Sequence, residues 1–151
     1  MATEIKNSAP EPRLKKEHVP KEIKEIKEIN EMIDDNTILV RRTLRSGQKI
    51  HFDGNVVVIG DVNPGAEIIA AGHVIVLGAL RGVVHAGASG NEQATILAFR
   101  LQPTQLRIAN HITRPPDEES TSPEQPEIAL IKDDLVTIKA FQSSDRFGGF
   151  S

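Results

Sequence analysis

Every sixth residue from Leu44 onward is apolar: Leu44, Ile50, Val56, Val62, Ile68, Val74, Leu80 and Ala86. A period of six matches neither the 3.6-residue repeat of an α-helix nor the plain alternation of a strand in a flat sheet. Four residues beyond these sites stand Gln48, Gly54, Gly60, Ala66, Gly72, Gly78 and Val84, mostly glycine or alanine. The segment GNVVVIG at 54–60 returns as GHVIVLG at 72–78, eighteen residues later. Six residues make one short side of a coil, and three sides close a triangular turn that sets the chain above itself. The aliphatic residue of each side then points inward onto its counterpart one coil away. Corners take glycine where a positive φ or crowding excludes a Cβ. Asn63-Pro64-Gly65 has the chemistry of such a corner, Pro presetting φ and Gly supplying the positive φ. Nine of the 11 glycines lie within 37–111, and each would cost an α-helix about 1 kcal/mol. The expected fold is all-β, a small triangular parallel β-helix of roughly three coils. Position 92 is glutamate, so the period is expected to break after Ala86. Residues 87–91 then form a loop that resets the phase, before ATILAFRL and QLRIA resume as strands.

The outward positions carry a second message. A solvated strand alternates apolar and polar residues, but VVVI and VIVL do not alternate. If Val56, Val58, Val74 and Val76 face inward, then Val57, Ile59, Ile75 and Leu77 face outward. The eighteen-residue repeat stacks these four into one patch. Contiguous exposed apolar surface of this kind marks an interface. Two covers are open: a second copy of the chain, or this chain's own C-terminal hairpin.

The flanks differ in composition. Residues 1–36 form a polar N-terminal extension with a net charge of −2. Ile23, Ile26, Ile29 and Ile33 mark one narrow face of a short helix there. Residues 37–111 carry a net +3 and residues 112–151 a net −4. The stretch 115–127, PPDEESTSPEQPE, reads as a flexible acidic loop. EIALIKDDLVTIKAF follows as a hairpin, although Asp-Asp is a weaker tight-turn signal than Asp-Gly. Residues 142–151 read as a disordered tail.

Composition excludes much chemistry. Cysteine is absent, which removes disulfides, thiolate zinc sites and thiol catalysis. Tryptophan and tyrosine are absent too, and the net charge is −3, so a nucleic-acid platform is not expected. No apolar run reaches membrane-spanning length, and MATEIKNSAP lacks the apolar core of a signal peptide. The expectation is a soluble, intracellular protein. No P-loop, HExxH, CxxC or GxSxG occurs. Gly87-Ala88-Ser89-Gly90 lacks the strand–elbow–helix setting of a nucleophile turn. His18, His51, His73, His85 and His111 match no ligand spacing, and are expected to be exposed surface residues. Neither a metal nor a cofactor is expected. Arg45-Ser46-Gly47-Gln48 is more informative. It falls at the first corner, where a bend presents a guanidinium, a hydroxyl and an amide together. Arg41 and Arg42 add local positive charge. The residues alone leave a solvated turn and a recognition site both open.

RSGQ, GDVNPGAE, LGALRGVVHAGASGN and QLRIA together resemble the C-terminal domain of the septum site-determining MinC family, over residues 37–141. The resemblance implies a right-handed β-helix that dimerises. It also implies a non-enzymatic cell-division regulator that binds the ATPase MinD and helps confine assembly of the tubulin-like FtsZ to the correct site. Such a protein is cytoplasmic and is recruited peripherally to the inner face of the membrane through MinD, which itself binds the ATP. Arg45, Ser46, Gly47 and Gln48 match the family's partner-binding motif, and Glu67 joins them as a further expected contact. Val57, Ile59, Ile75 and Leu77 are then the expected dimer face. The N-terminal domain by which the family acts on FtsZ has no match in this sequence.

Two other classes use such periodic folds. A bactofilin-like structural filament polymerises through exposed coil edges, and electron microscopy separates filaments from dimers. Hexapeptide-repeat acyltransferases need a catalytic histidine at a cleft, and β-helical carbonic anhydrases need three clustered histidines on zinc. Metal analysis tests the latter.

Overall fold

The computed structural model of the chain describes residues 36–113 and 125–144. The expected N-terminal helix, most of the acidic loop and most of the tail lie outside the described residues. By its internal contacts the chain divides into residues 1–35 and 36–151, and the fold belongs to the second unit. All regular structure among the described residues is strand.

Short aliphatic, β-branched runs between glycine-bearing corners wind into a triangular coil. Strands β1 (Thr37–Val40), β3 (Asn55–Val58), β5 (Val74–Leu80) and β7 (Ile96–Leu101) stack into one wall. Strands β2 (Lys49–Phe52), β4 (Glu67–Ala70), β6 (Val83–Ala86) and β8 (Gln105–Ile108) form the second. Pairing within both stacks is parallel. The third wall is narrow: Leu44, Val62 and Leu80 bridge in parallel, and Leu80 pairs with Leu101 one coil on. Each wall thus has four rungs, one more than the three coils expected.

The eighteen-residue register holds through the first coils, with Thr37 opposite Asn55, Lys49 opposite Glu67, and Val56 opposite Val74. It is lost one side earlier than the sequence suggested. Four residues, Asn63 to Ala66, turn the corner between Val62 and β4, but only Arg81 and Gly82 join Leu80 to β6. Val84 therefore stacks on Ile68, in place of Ala86. The segment after Ala86 returns the missing length, so that Ile96 stacks on Val74 and Leu106 on Val84. All eight residues of the sixfold series still face the axis. Seven are buried, and Ile50 is partly buried against them. Ile50 belongs to the first coil, which has a described neighbour on one side only.

The far end closes differently. Strand β9 (His111–Thr113) folds back antiparallel onto β8. Strands β10 (Glu127–Lys132) and β11 (Leu135–Ala140) form the expected hairpin, so β10 begins on the last residue assigned to the acidic loop. Asp133 and Asp134 supply its two-residue turn, with φ of 55° and 67°. Short polar side chains tolerate that left-handed conformation. β10 pairs antiparallel with β7 and extends the first wall into a six-stranded sheet, β1-β3-β5-β7-β10-β11. The hairpin thus extends the sheet at its edge, and Ile59 and Leu77 on the outer face stay exposed. Its Ala129 is buried in the core, with Ile131, Val136 and Ile138 packed against the same cluster.

Candidate partner-binding edge

The corner Arg45–Gln48 is a tight turn built by its own residues. The Gln48 N–H donates to the Arg45 carbonyl at 2.9 Å, and Gly47 sits at φ +90°. The Gln48 side-chain oxygen accepts the Arg45 N–H at 2.8 Å. Directly beneath, Asn63-Pro64-Gly65-Ala66 repeats the turn, with a 3.0 Å bond from the Ala66 N–H to the Asn63 carbonyl and φ +91° at Gly65. The two corners are tied by the Gly47 N–H, which donates to the Gly65 carbonyl at 2.9 Å. Ser46 rests on Gly65 so closely that a Cβ there would collide with its hydroxyl. Glycine at 65 therefore serves both the backbone conformation and the seat of Ser46.

This geometry divides the motif. Arg45, Ser46 and Gly47 are exposed and Gln48 is half-buried. The amide expected beside the guanidinium has a second task, because the side-chain oxygen of Gln48 holds the turn. The Arg45 guanidinium makes no hydrogen bond or ion pair with another described residue. Glu67 belongs to the same edge. Its N–H donates to the Gln48 carbonyl at 3.0 Å, and its carboxylate lies 3.6 Å from the Lys49 ammonium. Lys49 was missed in the sequence, although its spacing of eighteen from Glu67 was available there.

The outer face of the first wall is apolar. Val57 and Ile75 are half-buried, while Ile59 and Leu77 are 44% and 37% exposed. Leu39, 56% exposed, and Phe99, 49% exposed, extend the patch. Leu39 aligns with Val57 and Val57 with Ile75, so one backward step of eighteen would have found it. Phe99 follows Leu77 by twenty-two residues, and the broken phase hid it.

The histidines differ from their expected exposure. Among those described, only His51 is exposed. The buried Thr95 donates its N–H to His73 Nδ1 at 3.0 Å, His85 Nε2 lies 3.0 Å from the Ala109 carbonyl, and His111 Nε2 lies 3.3 Å from Glu92. Each has a partner one coil away or nearby, which a residue-type argument cannot foresee. No group of three or more histidines and carboxylates able to hold a metal occurs among the described residues.

The family model for the septum formation inhibitor MinC, C-terminal domain, matches residues 38–141. The chain belongs to the MinC family. A protein named "Probable septum site-determining protein MinC" from Heliobacterium modesticaldum is 61% identical over 108 residues, covering 72% of this chain and 37% of that protein. One of the same name from Acetivibrio thermocellus is 62% identical over 102 residues, covering 67% and 45%. The chain thus matches less than half the length of these MinC relatives. Among solved structures, the MinC:MinD cell division protein complex of Aquifex aeolicus contains a chain 33% identical, with a TM-score of 0.66 over 72% of this chain and 88% of that one. A MinC C-terminal fold therefore carries the pinned corner and the apolar wall described above.

Proposed function

We propose that this chain is a non-enzymatic regulator of division-site placement, a dimeric adaptor that binds ATP-loaded MinD and helps confine FtsZ assembly. Family membership supports the process, and a MinC:MinD complex among its structural relatives supports the partner. The observation that carries the reading is the rigid corner that presents Arg45. A pinned turn loses little backbone freedom on docking, so only the Arg45 side chain remains to be ordered, which favours a specific contact over a solvated bend. Ser46 and Glu67 flank it as further contacts, while Gly47 and Gln48 hold its shape. The dimer face is the outer side of the first wall, around Val57, Ile59, Ile75 and Leu77. No described helix is long and apolar enough to cross a membrane. In this reading the chain reaches the inner membrane face through MinD, and ATP stays on MinD.

The decisive experiment is co-sedimentation with ATP-loaded MinD on vesicles. Arg45→Ala is expected to abolish recruitment while the circular dichroism spectrum stays unchanged. Full recruitment of the variant would remove this corner from the reading.

A further inference from the structure

A second corner carries positive charge that the binding motif does not include. Arg41 and Arg42 close the side of the coil opposite Arg45, with the narrow wall between them. Both are exposed, and neither guanidinium makes a hydrogen bond or ion pair with another described residue. Their backbone is as firmly seated as that of the first corner. The Val40 carbonyl accepts the Ile59 N–H at 2.8 Å, and Thr43 Oγ1 accepts the Asp61 N–H at 3.2 Å. Gly60 lies directly beneath, where a Cβ would stand 2.8 Å from the Arg42 carbonyl. The side between the corners is extended. The Leu44 N–H donates to the Asp61 carbonyl at 2.9 Å, and the Leu44 carbonyl accepts the Asn63 N–H at 3.0 Å. Three Cα steps separate Arg42 from Arg45, a span of at most about 10 Å in extended chain.

The nearby carboxylates do not answer this charge. Glu67 is paired with Lys49, and Asp61 accepts the Ala79 N–H at 2.9 Å. Three arginines thus stand exposed along one edge, on backbone seats that the coil beneath them fixes.

We propose that the Arg41–Arg42 corner is the second half of the partner-binding edge, and that it fits an acidic protein surface whose carboxylates match this spacing. The inference rests on the reading of Arg45 as a contact with MinD. Guanidinium forks pair with carboxylates in fixed bidentate geometry, and rigid spacing rewards a partner whose charges are also fixed. A fluid headgroup layer gains nothing from such spacing, and the chain's net charge of −3 opposes adsorption to an anionic bilayer.

The test compares the full chain with Arg41→Gln/Arg42→Gln, Arg41→Lys/Arg42→Lys and Arg45→Ala. Affinity for ATP-loaded MinD is measured at low and at physiological ionic strength. The glutamine pair is expected to bind about tenfold more weakly at low salt and to show a flatter salt dependence. The lysine pair is expected to keep the salt dependence and lose only part of the affinity. Parental affinity in the glutamine pair, with binding still lost in Arg45→Ala, would overturn the second corner alone. Normal binding by Arg45→Ala would overturn the reading on which it rests. Pelleting with phosphatidylglycerol vesicles in the absence of MinD, lost in the glutamine pair, would assign the charge to a membrane and overturn the proposal.

Discussion

The two broad walls of this coil share an inner face and differ in their outer one. β3 and β4 show the same alternation of burial, and both stack in parallel on equivalents one coil away. On the outward side of the first wall, Leu39, Val57, Ile75 and Leu97 share one register row, which runs from the exposed Leu39 to the buried Leu97. The matching row of the second wall is His51, Ile69, His85, Arg107 and Ile112. The inner rows are interchangeable because a coil needs only an aliphatic residue that stacks on its own kind. The outer rows are free of that demand, so they diverge: aliphatic throughout on the first wall, mixed with histidine and arginine on the second.

The contrast between inside and outside is testable on a single strand. Ile68 and Ile69 are neighbours on β4, one buried and one half-buried on the outer face. Ile68→Ala removes methylenes from the stacked interior and is expected to cost about 2–5 kcal/mol. Ile69→Ala is expected to cost well under half of that, since its side chain leaves a surface that water reaches. Chemical denaturation of the two variants reads the difference directly. Equal losses would mean that the outer row is as tightly packed as the axis.

The inner row was the legible part of the fold. Leu44 to Leu80 obey one spacing because each rung repeats the same geometric problem. The early break at Arg81-Gly82 was hidden because Val84 is as apolar as the residue expected at a core site, so either register satisfies the pattern. Closure by the hairpin was legible as a hairpin. Its placement was not, because the pairing of Ile128 with Leu97 joins segments separated by the acidic loop. RSGQ marked a corner that does form, but residue type could not show which of its groups hold the turn. Whether the Gln48 amide faces a partner or the Arg45 N–H is decided by a turn only a few ångströms across. Ser46 on Gly65 is likewise a contact between coils, invisible until the coils are stacked.

The outer contrast has its own test. Leu77→Lys places a charge in the apolar face of the first wall, where burial against a second copy would leave it unpaired. Light scattering is expected to report monomers in place of dimers. The cost to monomer stability should stay within about 0.5 kcal/mol, because position 77 is a surface site in the isolated chain. His51→Lys, on the outer face of the second wall, is expected to leave the dimer intact. Dimers that survive Leu77→Lys would move the self-association surface away from this wall.

The smallest expected effect lies where the inner face meets the end of the coil. Glu127 opens β10 opposite Ala98, in the row that continues into the buried Ala129. Burial raises its carboxyl pKa above the usual glutamate value. The folded chain therefore holds this proton more tightly than the unfolded chain does. As pH falls from neutrality through the raised pKa, protonation removes the penalty and the fold gains stability. The gain is complete below the unfolded pKa. Glu127→Gln keeps the shape without the charge, so a slightly higher melting temperature is expected at pH 7, with the gap to the parent closing toward acid pH. A melting temperature below the parent's at pH 7 would mean that the charged carboxylate stabilises this end of the coil. The inner face would then tolerate a charge at its terminus that it excludes at every central rung.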